Sequence, residues 1–271
     1  MNYPIIDAHC HIYPDKIAER AVEAIGRFYD LPMYYDGRYS TLVQSGQKNG
    51  IKHFVVFSVA TTPHQVHSIN SYIADAVNNS EGLLTGLGAL HPDSGDIEGD
   101  IAEIISLGLK GVKMHPDIQK FQIDDKKCYK IYEACQKHNL PVLLHTGDSR
   151  YDFSNPQRMK RVLDDFPELT VIGAHFGGWS RWREAVETLS RYRNFYVDCS
   201  SSFQWLSPEQ SREIVRAYGA DRVLFATDFP MWSHEAELER FMDMQLTDEE
   251  NQLILYKNAV KLFGIDESKI L

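Results

Sequence analysis

The chain has 271 residues, of which 43% are hydrophobic and 24% charged, and its formal net charge is -10 at pH 7. This length suffices for a large core, and (β/α)8 barrels of about 250 residues commonly form one domain. The negative charge would repel a nucleic-acid backbone or an anionic membrane. No apolar run approaches the length of about 18 residues that a membrane span needs.

The N-terminal residues and the cysteines favour a cytoplasmic protein. The opening MNYPIIDAHCH leads directly into an apolar run with no basic segment before it, so no secretory signal is expected. Cys10, Cys128, Cys135 and Cys199 form no Cys-x-x-Cys pair, and each lies in or beside an apolar element. We therefore predict four reduced, buried thiols and no cysteine metal site.

Eight short apolar or β-branched runs recur along the chain, at residues 4–11, 53–60, 83–90, 109–116, 141–147, 170–177, 195–201 and 223–230. Stretches with helical spacing separate most of them, for example 124–139 and 155–166, and a last helix is predicted over 247–264. This alternation predicts parallel strands joined by right-handed crossovers. Eight such units predict an α/β fold of the TIM-barrel class, a (β/α)8 barrel, as a single domain over residues 1–271. An open doubly wound sheet is the alternative, disfavoured because no glycine-rich loop follows the first run.

Residues 12–52 form the one long connection between predicted strands. They contain a predicted helix over 16–29 and the aromatic segment FYDLPMYYDGRYS at 28–40. An excursion of this kind after the first strand is either a lid over the barrel mouth or an assembly surface, for which a homodimer is the expected state.

Polar residues end most of the predicted strands, where a barrel carries its chemistry. In chain order these are His9, His11, His91, Lys113, His115, His145, His175 and Asp228. His9 and His11 share one face of the first strand and lie about 6.5 Å apart along it, so both imidazoles can reach one ion. His145 and Asp228 can reach the same point only if the barrel closes. Imidazoles with one carboxylate suit zinc and other first-row divalent metals.

The segments DAHCH, VLLHTG, VIGAHFGG and FATDFP together resemble the amidohydrolase superfamily. They are most similar to its amidohydrolase-related branch, which includes aminocarboxymuconate-semialdehyde and resorcylate-type decarboxylases and pyrone-dicarboxylate lactonases. The resemblance spans nearly the whole chain. It implies a metal held by His9, His11, His145 and Asp228. It also implies that His175 is the general base or acid, while Asp228 can accept a hydrogen bond from the metal-bound water.

The resemblance leaves the number of metal ions open. One divalent ion is expected, with zinc first and manganese, iron or cobalt also compatible. Lys113 stands roughly where binuclear relatives carry a carboxylated lysine. In that alternative His145 and His175 bind a second ion, and Asp228 becomes the base. Otherwise the Lys113 ammonium is a candidate for binding a substrate carboxylate. Further substrate-binding candidates are His115, Arg150, Trp179 and Arg181.

The first functional hypothesis is a metal-dependent hydrolase of a small amide, lactone or ester. The alternative is a non-oxidative decarboxylase, a carboxy-lyase, of an aromatic or unsaturated acid, because the same ligand set serves both reactions. A basic pocket would favour decarboxylation or a dicarboxylate lactone, and a neutral pocket would favour amide or ester hydrolysis. A scaffold without activity is disfavoured because it would not need His175. The expected partner is a small molecule, not nucleic acid or a membrane.

Overall fold

Parallel strands form the centre of the fold, which a computed structural model describes over residues 3–270. Within these residues the strands are β1 (Ile5–His11), β2 (Ile51–Phe57), β3 (Leu84–Gly86), β4 (Gly88–Ala89), β5 (Val112–Met114), β6 (Val142–Leu144), β7 (Val171–Gly173), β8 (Phe195–Asp198) and β9 (Val223–Leu224). They pair in chain order, as β1–β3 and β4–β9, and every pairing is parallel. Backbone hydrogen bonds from Ala8 to Phe225 (3.0 Å) and from His11 to Phe229 (2.7 Å) join β1 to the segment after β9. The first and last strands of the predicted barrel are therefore neighbours.

Helices follow most of the strands and pack on their outer side. They are α1 (Asp15–Tyr29), α2 (Tyr39–Lys48), α3 (Val66–Asn78), α4 (Ile97–Ser106), α5 (Pro116–Gln119), α6 (Lys126–Lys137), α7 (Pro156–Asp165), α8 (Trp182–Leu189), α9 (Pro208–Tyr218), α10 (His234–Asp243), α11 (Asp248–Gln252) and α12 (Asn258–Phe263). A π-helical turn joins α11 to α12, so the predicted last helix is continuous. Thr247 is its N-cap, and it ends at Gly264. Between residues 3 and 270 no helix is both long and apolar enough to cross a membrane.

The third predicted strand is divided into β3 and β4. β3 pairs with β2 and β4 pairs with β5, while Leu87 between them still donates its N–H to a β2 carbonyl at 2.9 Å. Glycines on both sides allow close helix packing: a Cβ on Gly86 would lie 2.7 Å from Ile73, and one on Gly88 would lie 2.5 Å from Ile104. The chain therefore changes its pairing strand within one predicted strand. As a result, residues 3–270 contain nine strands where the sequence predicts eight.

Buried side chains pack on both sides of the strands. The interior cluster includes Val55, Phe57, Leu143, Ile172 and Leu224. A larger cluster lies between strands and helices and contains the predicted α7 face, Met159, Val162, Leu163 and Phe166. The four cysteines are buried and free, as predicted. Residues from the C-terminal helices join the interior cluster, and Tyr256 stacks on Tyr3 just before β1, so these helices cover the amino ends of the strands.

The long connection between β1 and β2 forms one wall of a cavity at the other end of the barrel. Its helix α1 begins one residue before the predicted range and ends at the predicted Tyr29. Ala18 and Val22 attach α1 to the barrel by packing with Tyr13 in a small cluster of their own. The adjacent side of α1, with Ile17, Ala21 and Ile25, also packs against this cluster and lines the cavity. This position fits the predicted lid, whereas the homodimer stays a prediction.

Candidate active site and metal centre

The polar strand ends predicted from sequence converge on one cavity of about 860 Å³. Seven of the predicted site residues line it: His9, His11, Lys113, His115, His145, His175 and Asp228. They come from β1, the ends of β5, β6 and β7, and the segment after β9. The backbone pairing of β1 with the segment after β9 brings residues from both ends of the chain to one place.

His9, His11 and Asp228, which we call the donor trio, have the spacing of metal ligands. The two Nε2 atoms lie 3.2 Å apart, and Asp228 Oδ1 lies 3.3 Å from His9 Nε2 and 3.5 Å from His11 Nε2. Four ligands around a tetrahedral ion, with bonds of about 2.1 Å, are about 3.4 Å from one another. The donor trio therefore fits a first-row divalent ion, which is the centre that the sequence predicts.

Asp198 fixes the orientation of the His9 ring. Its Oδ2 lies 2.9 Å from His9 Nδ1, and a carboxylate accepts, so Nδ1 carries the proton. Burial, reinforced by the Lys113 cation, lowers the pKa of His9 well below its usual value, which keeps the ring neutral. Its Nε2 lone pair is then free to point at the ion, as in other carboxylate–histidine–metal arrangements. Burial also lowers the pKa of His11.

Asp228 stays ionised although it is buried. Burial alone would raise its pKa, but the nearby imidazoles of His9, His11 and His175 hold the pKa of this carboxyl below its usual value. Its other oxygen, Oδ2, accepts a hydrogen bond from the Ser201 hydroxyl at 2.5 Å. The anion is therefore positioned for the donor trio by a separate contact on its far side.

Lys113 places a buried cation beside the donor trio. Its Nζ lies 3.3 Å from His9 Nε2 and 5.1 Å from the centre of the Phe57 ring. Burial lowers the pKa of Lys113 to about 8, although Asp198 and Asp228 act in the opposite direction. The side chain lies where a substrate carboxylate entering the cavity would meet it, and its carboxylation stays an untested alternative.

His145 lies next to the donor trio but faces other partners. Its Nδ1 is 3.0 Å from His175 Nε2, its Nε2 is 3.4 Å from Asp117 Oδ2, and its ring stacks on His115 with centroids 4.1 Å apart. Burial lowers the pKa of His145 well below its usual value, so the ring is neutral and can act as a ligand. Its place as the fourth ligand stays a prediction.

His175 has the orientation of a proton-transfer group. Its Nδ1 lies 3.0 Å from the Ser200 carbonyl oxygen, which only accepts, so Nδ1 carries a proton. Its backbone N–H donates to Asp198 Oδ1 at 3.1 Å. In the neutral ring Nε2 therefore keeps a lone pair. This atom lies 3.0 Å from His145 Nδ1, and the ring stacks on His9 with centroids 5.3 Å apart, so Nε2 can accept and return a proton beside the donor trio.

The remaining substrate-binding candidates lie at different distances from this centre. His115 lines the cavity, and its Nε2 is 2.8 Å from the Tyr29 hydroxyl. Trp179 lines a small side pocket that also contains His145, His175 and Asp228. Arg150 and Arg181 are among the lining residues of neither cavity. Arg150 forms a bidentate pair with Asp148, and Arg181 pairs with Glu184 at the start of α8.

Gly147 allows the loop after His145 to approach the loop that carries Trp179. It has φ +103°, and a Cβ there would lie 2.3 Å from Trp179 N, whose N–H donates to the Thr146 carbonyl at 2.8 Å. We expect Gly147→Ala to lower the free energy of unfolding by about 3 kcal/mol, from backbone strain and overpacking together.

Urea unfolding measures this cost, and Gly50→Ala is the matched control. Gly50 also has a positive φ, +80°, but no atom lies within 4 Å of its added Cβ. The control should lose only about 1 kcal/mol, the strain alone. Equal losses in the two variants would contradict the proposed contact with Trp179.

Asp198 gives a test of the orientation of His9. We expect Asp198→Asn to weaken metal binding about 10- to 100-fold, as loss of such an outer partner usually does. Zinc affinity measured by chelator competition reports this, with exposed Asp243→Asn as the surface control. Unchanged zinc affinity in Asp198→Asn would mean that the contact does not orient a ligand.

A parallel barrel with a buried His-His-Asp centre at the carboxyl ends of its strands is the framework of a metal-dependent barrel enzyme. The sequence profile of the amidohydrolase family matches residues 6–265. The chain therefore belongs to the amidohydrolase family, and the resemblance that its motifs predict is confirmed.

The curated relatives are distant and cover different shares of the chain. The 2-amino-3-carboxymuconate-6-semialdehyde decarboxylase of Dictyostelium discoideum is 23% identical over 75% of this chain and 67% of its own. Two further curated relatives, both decarboxylases, match over 37% and 38% of their own lengths.

Solved structures show the same fold. An uncharacterized TIM-barrel protein of Bordetella bronchiseptica has a TM-score of 0.79 at 22% identity, covering 96% of this chain and 98% of its own. A dihydroxybenzoic acid decarboxylase of Polaromonas, solved with bound manganese and the inhibitor 2-nitroresorcinol, has a TM-score of 0.74 at 18% identity. That match covers 97% of each chain.

Proposed function

We propose that the chain is a metal-dependent, non-oxidative decarboxylase of an aromatic or unsaturated carboxylic acid. The observation that carries the proposal is the joint position of the donor trio, the buried Lys113 ammonium and His175 at the base of one mainly apolar cavity. The ammonium suits a substrate carboxylate, the apolar walls suit a ring, and the imidazole suits a proton transfer.

The relatives' names favour this reaction over the hydrolysis that was the first hypothesis from sequence. The curated relatives are named as decarboxylases, and so is the manganese-bound neighbour. Hydrolysis and decarboxylation use the same ligand set, so the fold does not separate them. In the sequence analysis, a positively charged pocket was the feature that would favour decarboxylation. Lys113 supplies this charge at the inner end of the cavity, which neither Arg150 nor Arg181 lines.

A divalent ion held by the donor trio, with His145 as the predicted fourth ligand, would act as a Lewis acid toward substrate oxygens. Lys113 holds the substrate carboxylate, and the cavity walls hold its ring or unsaturated chain. His175 Nε2, once protonated, gives its proton to the carbon that bears the carboxylate, forming a C–H bond. The C–C bond then breaks, its electron pair returns to the π system, and carbon dioxide leaves. His175 regains a proton from water, so each turnover takes up one proton.

The test uses 2,6-dihydroxybenzoate and 5-carboxyvanillate, the acids for which two further solved decarboxylases of this fold are named, assayed with manganese or zinc. The expected result is release of carbon dioxide and, in D2O, one deuterium on the carbon that carried the carboxylate. Methyl esters and primary amides of the same acids are the competing substrates. Their hydrolysis, without carbon dioxide release from any acid, would replace this proposal by the hydrolase reading.

Lys113 is expected to act mainly in substrate binding. Lys113→Met should raise KM for the acid about 10- to 100-fold, because a hydrogen bond to a charged group contributes about 1.5–3 kcal/mol. Steady-state kinetics at fixed metal content measure this effect, and Lys137→Met, on the surface, is the control. An unchanged KM in Lys113→Met would remove the ammonium from the carboxylate site.

A further inference from the structure

The cavity extends well beyond the donor trio. Its volume of about 860 Å³ lies near the upper end for pockets that hold drug-sized ligands, about 300–1,000 Å³. A single-ring acid would occupy only its base. The rest of the cavity continues between α1 and α3, whose residues form its two long walls.

The α1 wall is an apolar stripe. Ile17, Ala21, Ile25 and Phe28 follow helical spacing along one side of α1, and all four line the cavity. These side chains are only partly buried in the protein itself. A surface of this kind gains stability when an apolar group covers it.

The α3 wall is mixed, because Ser68 and Ser71 line the cavity beside its apolar residues. Ile69 and Tyr72 face the cavity, and both are partly buried. Exposed Lys16, His67 and Asp75 lie among the outer lining residues. The cavity therefore has a charged base, an apolar stripe along its α1 side and a hydrated rim, which is the profile of an amphiphilic ligand.

We propose that the substrate carries a linear apolar chain opposite its carboxylate, and that this chain lies between α1 and α3. The acid group of this substrate follows from the proposed function. The apolar chain is inferred from the part of the cavity between α1 and α3, which we call the groove. The groove is continuous with the base of the cavity, so a ligand can fill both at once. A protein segment seated in the groove would instead close the route to the donor trio.

The probes are 2-nitroresorcinol, the inhibitor bound to one structural neighbour, and its 5-alkyl derivatives from methyl to heptyl. The planar nitro group replaces the carboxylate but cannot be lost as carbon dioxide, and the 5-position points away from it. Kd is measured by calorimetry on the metal-loaded protein. Each added methylene is expected to lower Kd about fourfold until the groove is filled. The quantity compared between variants is this chain-length slope.

Ala21→Phe fills the middle of the groove and is expected to flatten the slope to less than twofold per methylene. Ala24→Phe, one turn further along the same wall, is the second blocking variant in case the first does not fold. Glu19→Phe adds the same ring to an exposed position of α1 outside the lining and should keep the native slope.

Two results would overturn the alkyl-chain proposal. One is a flat series in the native protein. The other is an unchanged slope in folded Ala21→Phe, particularly with a change in sedimentation that would mean a second copy of the chain fills the groove. Kd needs no turnover, so the outcome is independent of the reaction. A steep series without carbon dioxide release from the acids would reject the decarboxylase and support the apolar chain. A flat series with carbon dioxide release would support the decarboxylase and reject the apolar chain.

Discussion

Asp228→Asn is expected to lower kcat/KM by about a thousandfold and to remove most of the bound metal. Asp228 is the only carboxylate of the donor trio, and its Oδ1 faces both imidazoles at 3.3–3.5 Å. The amide keeps the shape but loses the negative charge that balances the ion. A metal centre contributes several kcal/mol of transition-state stabilisation, and about 4 kcal/mol corresponds to three orders of magnitude in rate.

Metal content per chain, measured by elemental analysis beside the kinetics, checks this expectation. Glu237→Gln is the matched control, because it makes the same carboxyl-to-amide change at a fully buried position that bonds to Gln204 and Arg240. The control should keep its metal and lose less than tenfold in activity. If Asp228→Asn retained a full complement of metal, Asp228 would not be a ligand, and the donor trio would be wrong.

The positions of the main site residues follow from a simple rule that sequence alone can apply. Polar residues at the ends of apolar runs lie at the carboxyl edge of parallel strands, where a closed barrel brings them together. His9, His11, Lys113, His175 and Asp228 all satisfy the rule, and all line the same cavity. The rule works because it needs only the order of the strands and not their side-chain directions.

The rule also reaches Asp198, which the sequence analysis did not select. Asp198 ends the run FYVDCSS, but its role depends on which imidazole it contacts, and that depends on packing between β1 and β8. Asp7 is two residues before His9, so an unbroken strand would place both side chains on the same face. A register shift between Asp7 and Cys10 breaks the two-residue period, and Asp7 bonds instead to Thr227, with His234 close by.

The two arginine candidates also show that sequence position alone does not determine the contacts of a side chain. Arg150 and Arg181 were candidates for binding a substrate carboxylate because they follow strand ends. In the structure each has a neighbouring carboxylate, Asp148 for Arg150 and Glu184 for Arg181. A long, flexible side chain can pair with any opposite charge within its reach, so its direction depends on the folded structure.

His175→Asn is expected to lower kcat about 100- to 10,000-fold while the metal remains bound. The range is that of a positioned proton-transfer group. His175 Nδ1 is held by the Ser200 carbonyl, and the neutral ring presents Nε2 to the centre of the site. The asparagine amide can still accept the contact with His145, but it cannot carry a proton to substrate carbon.

Three measurements on His175→Asn separate proton transfer from a ligand role: metal content, KM, and deuterium incorporation in D2O. Metal content and KM should stay within about threefold of native, and the rate of deuterium incorporation should fall together with kcat, because no positioned group then delivers the proton. His53→Asn replaces another buried histidine, bonded to Thr85 and outside the cavity lining, and should leave kcat unchanged. Loss of metal in His175→Asn would instead place His175 among the ligands. That result would favour the two-ion alternative, in which carboxylated Lys113 bridges the ions and Asp228 becomes the base.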